Sequence, residues 1–314
     1  MTGYLVGRLL AAVPVMFLVS TGVFLLLFLT PGDPVATILG PDATPQRVEE
    51  LRRRLGLDQP APVQLLRWFA RVVQGDLGTS IFLDRPVVQA IAERAEPTLL
   101  LALLASLFAL AIGLPTGVLA ATRQGTWTDL GAMLIGLAGV SMPTFWVGLN
   151  LIFLFAVVLN WLPVAGYEPL ARGPGATLRY LLLPAVTLGF PQGALLARMT
   201  RSVMLEVLRE DYVRTARAKG LREWRVLLRH ALGNALIPLV TVFGLSVAIL
   251  LGGAVVTEQV FNIPGVGRLL VQAVVRRDYP LVQGIVLVVA AVYVLVNLAV
   301  DLTYGALDPR VRYR

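Results

Sequence analysis

The residue types that most often carry chemistry are scarce in this chain of 314 residues. It has no cysteine, which excludes a disulfide, a thiolate nucleophile and a cysteine-based metal site. Its single histidine, His230, stands beside a basic stretch, whereas a zinc site or a histidine-based relay normally needs more histidines. Its single lysine, Lys219, precedes Gly220, whereas a phosphate-binding P-loop needs Gly-Lys-Ser/Thr. The sequence therefore predicts no metal site, no catalytic residues and no ATPase within this chain.

Charge is concentrated in the stretch Glu206–Pro238, which lies between two apolar segments long enough to cross a bilayer. Basic loops between membrane spans usually stay in the cytoplasm. We therefore interpret this stretch as a cytoplasmic loop of a multi-pass membrane protein. Its basic residues outnumber its acidic ones. The basic residues are Arg209, Arg214, Arg217, Lys219, Arg222, Arg225 and Arg229, and the acidic ones are Glu206, Glu210, Asp211 and Glu223.

The pattern within this loop predicts two short helices. Good helix formers continue to about Ala218, and Gly220 then ends the run as a helix C-terminal glycine does. A second helix is expected from Leu221 towards Ala235, because Trp224, Leu227 and Leu228 have helical spacing. Two interpretations stay open on the residues alone. The pair of helices transmits motion to a soluble partner, or it is a solvated basic loop that only fixes topology.

The loop also resembles the coupling loop of permeases from ATP-binding-cassette (ABC) importers. The general form of that loop has Glu-Ala-Ala, three residues, Gly and a later Pro. Here Arg214, Thr215 and Ala216 occupy the first three positions, and the proline comes late, at Pro238. These departures resemble the dipeptide/oligopeptide/nickel branch. The resemblance rests on the segments Asp211–Gly220, Arg229–Leu232 and Asn234–Pro238.

The resemblance implies a type I ABC importer fold, in which this loop seats in a groove of the ATPase. Arg214 and Arg217 would then contribute ionic or hydrogen-bonding contacts to that partner. The residues implied for ATPase coupling are Glu206, Asp211, Tyr212, Arg214, Thr215, Ala216, Arg217 and Gly220.

Composition indicates an all-α membrane protein. The chain is 57% hydrophobic and 15% charged, with several charge-free segments near or above 18 residues. The net charge of +8 lies largely in short loops, which favours membrane orientation over nucleic-acid binding as its cause. Six transmembrane helices are predicted, with both termini in the cytoplasm. They are Leu9 to Thr30, Pro97 to Ala121, Leu130 to Asn160, Tyr180 to Ala197 (broken by Pro184 and Pro191), Ala231 to Val256 and Leu281 to Val300.

Residues Asp33 to Glu96 form a long polar insertion between spans 1 and 2, which we place outside the cytoplasm. It is expected to hold short helices over Gln46–Leu55 and Val63–Gln74. It is either a docking surface for a solute-binding protein or a cap over the helices, and both can hold. The Pro31-Gly32-Asp33-Pro34 that ends the first span also resembles the first of the two permeases in the peptide branch. The predicted divisions are 1–96, a permease domain over 97–304 and a basic cytoplasmic tail over 305–314.

A second informative segment, Thr257 to Pro280, is too apolar for a free loop and too short and charged for a span. It resembles the Phe-x-x-Pro-Gly-x-Gly-x-Leu stretch of the family, which helps to line the outer gate. In span 3, two interpretations of Pro143 stay open: it kinks the helix and frees a backbone carbonyl that lines a pathway, or it takes part only in plain helix packing. The candidates for the gate or pathway are Met142, Pro143, Glu258, Phe261, Pro264 and Gly265.

Three kinds of function suit a membrane protein of this composition. The resemblance implies a permease subunit of a peptide importer in a bacterial or archaeal cytoplasmic (inner) membrane, with nickel or another small solute as the alternative cargo. Its implied partners are a second homologous permease, two ATPases that bind ATP and magnesium, and an extracytoplasmic binding protein. A secondary transporter normally places ionisable residues within its spans, and the predicted cores have none. An intramembrane enzyme would need a serine or aspartate pair within the spans, and no aspartate lies in a predicted core.

Overall fold

The computed structural model of this chain describes residues 2–29, 35, 44–54 and 56–307. The described residues are mostly helical and group into two compact units. Unit 1 comprises residues 1–96 and 265–294, and unit 2 comprises residues 97–264 and 295–314. The Pro31-Gly32-Asp33-Pro34 motif, the end of the predicted first span at Thr30 and the basic tail after residue 307 lie outside the described residues.

The helices and strands are numbered here in chain order. In the N-terminal part they are α1 (Thr2–Leu29), α2 (Pro45–Arg54), α3 (Ala61–Val73), β1 (Thr79–Ser80), β2 (Arg85–Pro86) and α4 (Val87–Thr122). There follow α5 (Trp127–Ser141), α6 (Thr144–Leu151, extended by a π-helical stretch Ile152–Val158), a 3₁₀ turn (Leu170–Arg172) and α7 (Pro174–Val207). The last are α8 (Asp211–Ala218), α9 (Glu223–Arg225, then π-helical Val226–Leu232), α10 (Gly233–Val260), α11 (Val266–Val275) and α12 (Tyr279–Leu307).

The prediction of a helical protein with several membrane-spanning helices is confirmed. Within the described residues, the helices long and apolar enough to cross a bilayer are Val87–Thr122, Pro174–Val207, Glu223–Val260 and Tyr279–Thr303, with the bent pair α5 and α6 as a possible fifth span. Helix α1 contains a shorter apolar stretch, Leu10–Leu26. The number six and the placement of the insertion outside stay predictions.

The third predicted span is sharply bent where the sequence places a proline. Helix α5 ends at Ser141 and α6 begins at Thr144, and their axes differ by 106°. Met142 and Pro143 between them have extended backbone. Of the two interpretations of Pro143, the structure therefore shows the kink, because proline has no N–H to continue a helix and disfavours a helical residue before it.

The predicted break of span 4 at its two prolines is wrong. Helix α7 continues without a break through Pro184 and Pro191, ten residues beyond the predicted end of span 4 at Ala197. The second short helix of the basic loop, predicted from Leu221 towards Ala235, runs on into span 5, and Glu223–Val260 is one continuous helix that contains Pro238. Membrane helices tolerate internal prolines when neighbouring helices and local π-type turns accommodate the freed backbone groups. The chain has such a turn at Val226–Leu232.

Helix α7 is the central helix of unit 2, and glycines allow its neighbour to approach its backbone. A Cβ added at Gly189 would lie 2.5 Å from the carbonyl oxygen of Ala105 in α4. A Cβ added at Gly113 in α4 would lie 2.9 Å from the carbonyl oxygen of Gly193. Small residues allow membrane helices to pack at this short distance. We call this contact the glycine seam, formed by Gly113, Gly117, Gly189 and Gly193.

In unit 1, a hairpin is fixed to the segment that begins helix α12. Strands β1 and β2 are antiparallel, and Ser80 pairs with Arg85. The Asp278 carboxylate is 1% exposed and accepts hydrogen bonds from the Ser80 hydroxyl and from the Phe82 amide at 3.1 Å. It also caps α12 by accepting the Leu281 amide at 3.2 Å. The polar insertion and the segment before the last helix are thus one folded unit.

Candidate functional site

The basic loop folds into a short amphipathic helix, α8, with its own small core. Val213 and Val226 are completely buried and Ala216 is nearly so. They pack with Leu208 and Leu221 in a cluster separate from the main core. The two valines are thirteen positions apart in sequence, so the cluster holds α8 against the start of the long helix that follows. Helices α7 and α8 are separated only by Leu208–Glu210.

Gly220 is the turning point between α8 and the next helix. Its φ is +74°, a conformation that L side chains disfavour, and open space surrounds its Cα. Its amide donates to the Arg217 carbonyl at 2.9 Å, and the Leu221 amide donates to the Ala216 carbonyl at 3.4 Å. This is the glycine-terminated helix end that the sequence predicts.

Hydrogen bonds between polar side chains stabilise the turn at Gly220. Arg217 donates to Glu223 from Nε at 3.2 Å and from Nη2 at 2.7 Å. The hydrogen bonds to Glu223 raise the pKa of Arg217 above its ordinary value. The Asn234 amide donates to the Tyr212 hydroxyl at 3.0 Å. Helix α8 is therefore joined to the long helix by an apolar cluster, an ion pair and a hydrogen bond.

The eight predicted coupling residues do not all face solvent. Ala216 is buried in the loop's own core, and Arg217 is engaged by Glu223. Arg214 and Asp211 are the most open pair: their side chains are 71% and 95% exposed, and Arg214 Nη1 lies 3.2 Å from Asp211 Oδ1. Glu206, Tyr212 and Thr215 are also exposed. The exposed face of α8 therefore presents Asp211, Tyr212, Arg214 and Thr215 to any partner.

The six predicted gate or pathway residues are divided by the structure. Met142 and Pro143 are exposed at the bend between α5 and α6. Glu258 and Phe261 are almost completely buried within unit 2. Pro264 is half-buried and Gly265 is buried.

Glu258 is part of helix α10, which ends at Val260, and it does not lie in a loop as the sequence suggested. The Thr98 hydroxyl donates to its carboxylate at 2.6 Å and so joins α4 to α10. Glu258 therefore lies two residues beyond the predicted end of span 5 at Val256, because the helix continues for four residues past that point. The six predicted spans themselves contain no Asp, Glu, His, Lys or Arg.

Sequence reasoning also missed the pair Asp129 and Arg201. Asp129 is 4% exposed, and Arg201 donates to both of its carboxylate oxygens, at 2.5 and 2.7 Å. Both residues fall just outside the predicted spans, Asp129 before Leu130 and Arg201 after Ala197. No local signal links two residues that are 72 positions apart.

The long apolar helices of the described residues define a multi-pass membrane protein, in which α8 is a separately packed short helix. Residues 113–313 match the family described as "Binding-protein-dependent transport system inner membrane component". Residues 1–102 match the N-terminal family of the same membrane components. The chain belongs to this family and is an importer permease of the ABC class, not an enzyme. Membership implies an inner-membrane location, ATPase subunits and a binding protein as partners in general.

Similar proteins cover the chain from end to end. A probable peptide ABC transporter permease of Sinorhizobium fredii is 46% identical over 310 residues, 99% of each chain. A putative peptide transport system permease of Brucella abortus is 49% identical over 313 residues, 100% of each chain. The glutathione transport system permease GsiC of Escherichia coli is 44% identical over 314 residues, 100% of each chain.

A solved structure supports the fold. An inward-facing form of the MetNI methionine ABC transporter aligns with a TM-score of 0.58 and 19% identity. The alignment covers 70% of this chain and 97% of that one.

Proposed function

We propose that this permease imports short peptides and forms one half of their path across the membrane. The observation that supports this most is the end-to-end identity of 44–49% with permeases named for peptide and glutathione transport. Glutathione is itself a small peptide, so both names point to one substrate class. Nickel or another small solute is the alternative cargo, and no observation favours it.

We propose that the cytoplasmic ATPases act on the chain through the loop 206–238. Helix α8 seats in an ATPase groove and presents Asp211, Tyr212, Arg214 and Thr215. Gly220, Arg217 and Ala216 hold the shape of the loop, and Glu206 lies at the end of helix α7 just before it. The braces around α8 support this role, because a purely solvated loop would need no core of its own. ATP and magnesium are bound by the ATPases and not by this chain.

The proposed assembly has this chain, a second homologous permease, two ATPases and an extracytoplasmic binding protein. The proposed topology has six spans, with α1 as the first and the bent pair α5 and α6 as the third, and both termini inside. The insertion 33–96 lies outside, the permease domain covers 97–304 and the tail covers 305–314. Met142 and Pro143 line the path. Glu258, Phe261, Pro264 and Gly265 support its outer end from within the protein.

The test is a mild-detergent purification of the tagged chain from its native host, followed by mass spectrometry and a transport assay. We expect a second permease and P-loop ATPases to be recovered with it. Reconstituted vesicles with the binding protein should accumulate a radiolabelled dipeptide or tripeptide in the presence of ATP, and unlabelled peptides, but not nickel, should compete. Recovery of the chain alone, under conditions that keep other ABC complexes intact, would contradict the assembly. Competition by nickel alone would contradict the substrate.

A further inference from the structure

The Asp129–Arg201 pair is a buried, two-point contact between helices α5 and α7. Arg201 Nε lies 2.5 Å from Asp129 Oδ1, and Arg201 Nη2 lies 2.7 Å from Oδ2. Asp129 Oδ2 also accepts the Gly125 amide at 3.0 Å, so the carboxylate fixes the turn that begins α5. Two parallel hydrogen bonds between a guanidinium and a carboxylate set both distance and orientation.

Helix α5 contacts α7 again near its other end. A Cβ added at Gly139 would lie 3.0 Å from Ala194 Cβ and 3.0 Å from the Phe190 ring. Beyond the bend, a Cβ added at Gly148 in α6 would lie 3.1 Å from Thr187 Cγ2. As the residue numbers rise along α5 and α6, those of their contacts on α7 fall. The bent span therefore lies antiparallel along α7, with the Asp129–Arg201 pair as its polar end.

Helix α7 is also the element nearest to α8 in the chain. Arg201 lies six residues before its end at Val207, and α8 begins four residues later at Asp211. Leu208 packs in the core of α8. A displacement of α8 would therefore move the end of α7, and with it Arg201, through the packed contact at Leu208.

We propose that Asp129 and Arg201 are positioning residues that make the bent span follow α7 when the ATPases move α8. This inference rests on the proposed function. Apolar contacts such as Gly139 with Ala194 are non-directional and tolerate sliding, whereas a two-point ion pair fixes the register of α5 on α7. Register is the best-attested role of buried polar pairs. Movement of α7 is thereby passed to Met142 and Pro143 at the far end of α5.

The pair lines an open cleft of about 610 Å³ together with Trp127, Leu130 and Met133. The Arg201 side chain is 25% exposed and that of Asp129 is 6% exposed. Because Arg201 reaches this cleft, it can be hydrated when its partner is replaced, so a variant at Asp129 does not strand a fully buried cation. Loss of the pair should therefore release the register of α5 on α7 without unfolding the unit.

The experiment compares Asp129→Asn, Arg201→Gln and the exchange Asp129→Arg with Arg201→Asp in the full complex with its binding protein. Glu168→Gln is the matched control, because Glu168 and Arg172 form an exposed ion pair at 3.0 Å in the same unit. The readouts are recovery of the ATPases, thermal stability, ATP hydrolysis and peptide transported per ATP hydrolysed. Transport per ATP separates a positioning role from a merely structural one.

We expect both single variants to assemble and hydrolyse ATP but to lower transport per ATP roughly two- to thirtyfold, the usual range for residues that carry coupling between sites. The exchange should recover part of that loss, and Glu168→Gln should match the parent. The inference is overturned if transport per ATP is unchanged, if assembly and stability fall in proportion to transport, or if the exchange restores nothing. If the parent complex itself recovers no ATPase, the proposed function fails instead.

Discussion

Arg217 and Glu223 form a two-point ion pair across Gly220, with nitrogen–oxygen distances of 3.2 and 2.7 Å. The pair connects the last turn of α8 to the first turn of the helix that follows. Arg217 therefore already donates two hydrogen bonds within the chain, although the family resemblance implied that it contacts an ATPase. Arg214, whose side chain is 71% exposed, is therefore the better candidate for that intermolecular contact.

Replacement of Gly220 should uncouple the transporter according to the backbone preference of the new residue. Valine at φ +74° is strained, because a β-branched side chain clashes with its own carbonyl in this region. Asparagine tolerates it, as Asn160 and Asn262 already do in this chain at φ 54° and 53°. We expect Gly220→Val to abolish peptide-stimulated ATP hydrolysis and transport in the reconstituted complex, and Gly220→Asn to keep most of both. Equal activity of the two variants would show that the turn geometry does not matter.

Removal of the Arg217–Glu223 pair should weaken binding of the ATPase more than it lowers the stability of the folded permease. Both side chains are about half exposed, and exposed pairs contribute at most about 1 kcal/mol. We expect Glu223→Gln and Arg217→Gln to leave the melting temperature nearly unchanged and to weaken ATPase recovery in high salt. The exchange Arg217→Glu with Glu223→Arg should recover it. Arg214→Gln is the comparison. We expect this variant also to recover less ATPase, and no substitution at Glu223 should restore that recovery.

The Thr98–Glu258 hydrogen bond should stabilise the packing of α4 against α10. Thr98→Val removes a donor from a completely buried carboxylate, and a buried polar group that loses a partner costs about 1–3 kcal/mol. Glu258→Gln should cost less, because the amide oxygen can still accept from Thr98. Thermal unfolding of the purified protein in detergent measures both. A melting temperature for Thr98→Val at or above that of Glu258→Gln would contradict this account.

The glycine seam should not tolerate a methyl group. Gly189→Ala places its Cβ 2.5 Å from a backbone oxygen, which cannot move aside as a flexible side chain can. We expect a loss of about 1–3 kcal/mol, the usual cost of overpacking. Gly175→Ala, in the first turn of the same helix with nothing within 4 Å of the new Cβ, is the control and should be neutral or stabilising. Denaturation of the two variants in detergent gives the comparison.

Insertion of an epitope after Gly75 should be labelled only from outside the cytoplasm. Gly75 has a φ of +82° and open space around it, so the insertion should leave the fold intact. The same epitope at the C-terminus should be labelled only after the membrane is permeabilised. Antibody binding to intact and permeabilised spheroplasts distinguishes the two. Labelling of the Gly75 insertion only from the cytoplasm would overturn the proposed topology.

Local chemistry made several features predictable from the sequence. Gly220 ends α8 because glycine readily adopts a positive φ, and Pro143 bends the third span because it cannot continue a helix. The short helices α2 and α3 begin within two residues of their predicted starts, at Pro45 and Ala61. Each of these features is decided by a few adjacent residues.

Features decided by distant partners were not predictable in the same way. Pro184 and Pro191 did not break α7, because the close packing of that helix outweighs a local preference. Helix α11, with its buried residues Val266, Leu269 and Ala273, was not predicted, because the segment that contains it was judged only too apolar for a free loop and too short and charged for a span. Asp129 and Arg201 are paired only once the third and fourth spans lie side by side.

The glycine seam limits how this protein can change shape. At the seam the backbones of helices α4 and α7 approach so closely that an added Cβ would lie 2.5 Å from a carbonyl oxygen at Gly189 and 2.9 Å from one at Gly113. Rotation of either one about its own axis would turn a bulkier residue into the seam. The two helices must therefore tilt as a single body, and bending is left to the segments outside the seam, at Leu208–Glu210 and at Met142 and Pro143. Substrate access would then be set by rigid-body tilting at these two breaks between helices and not by deformation of the bundle's centre.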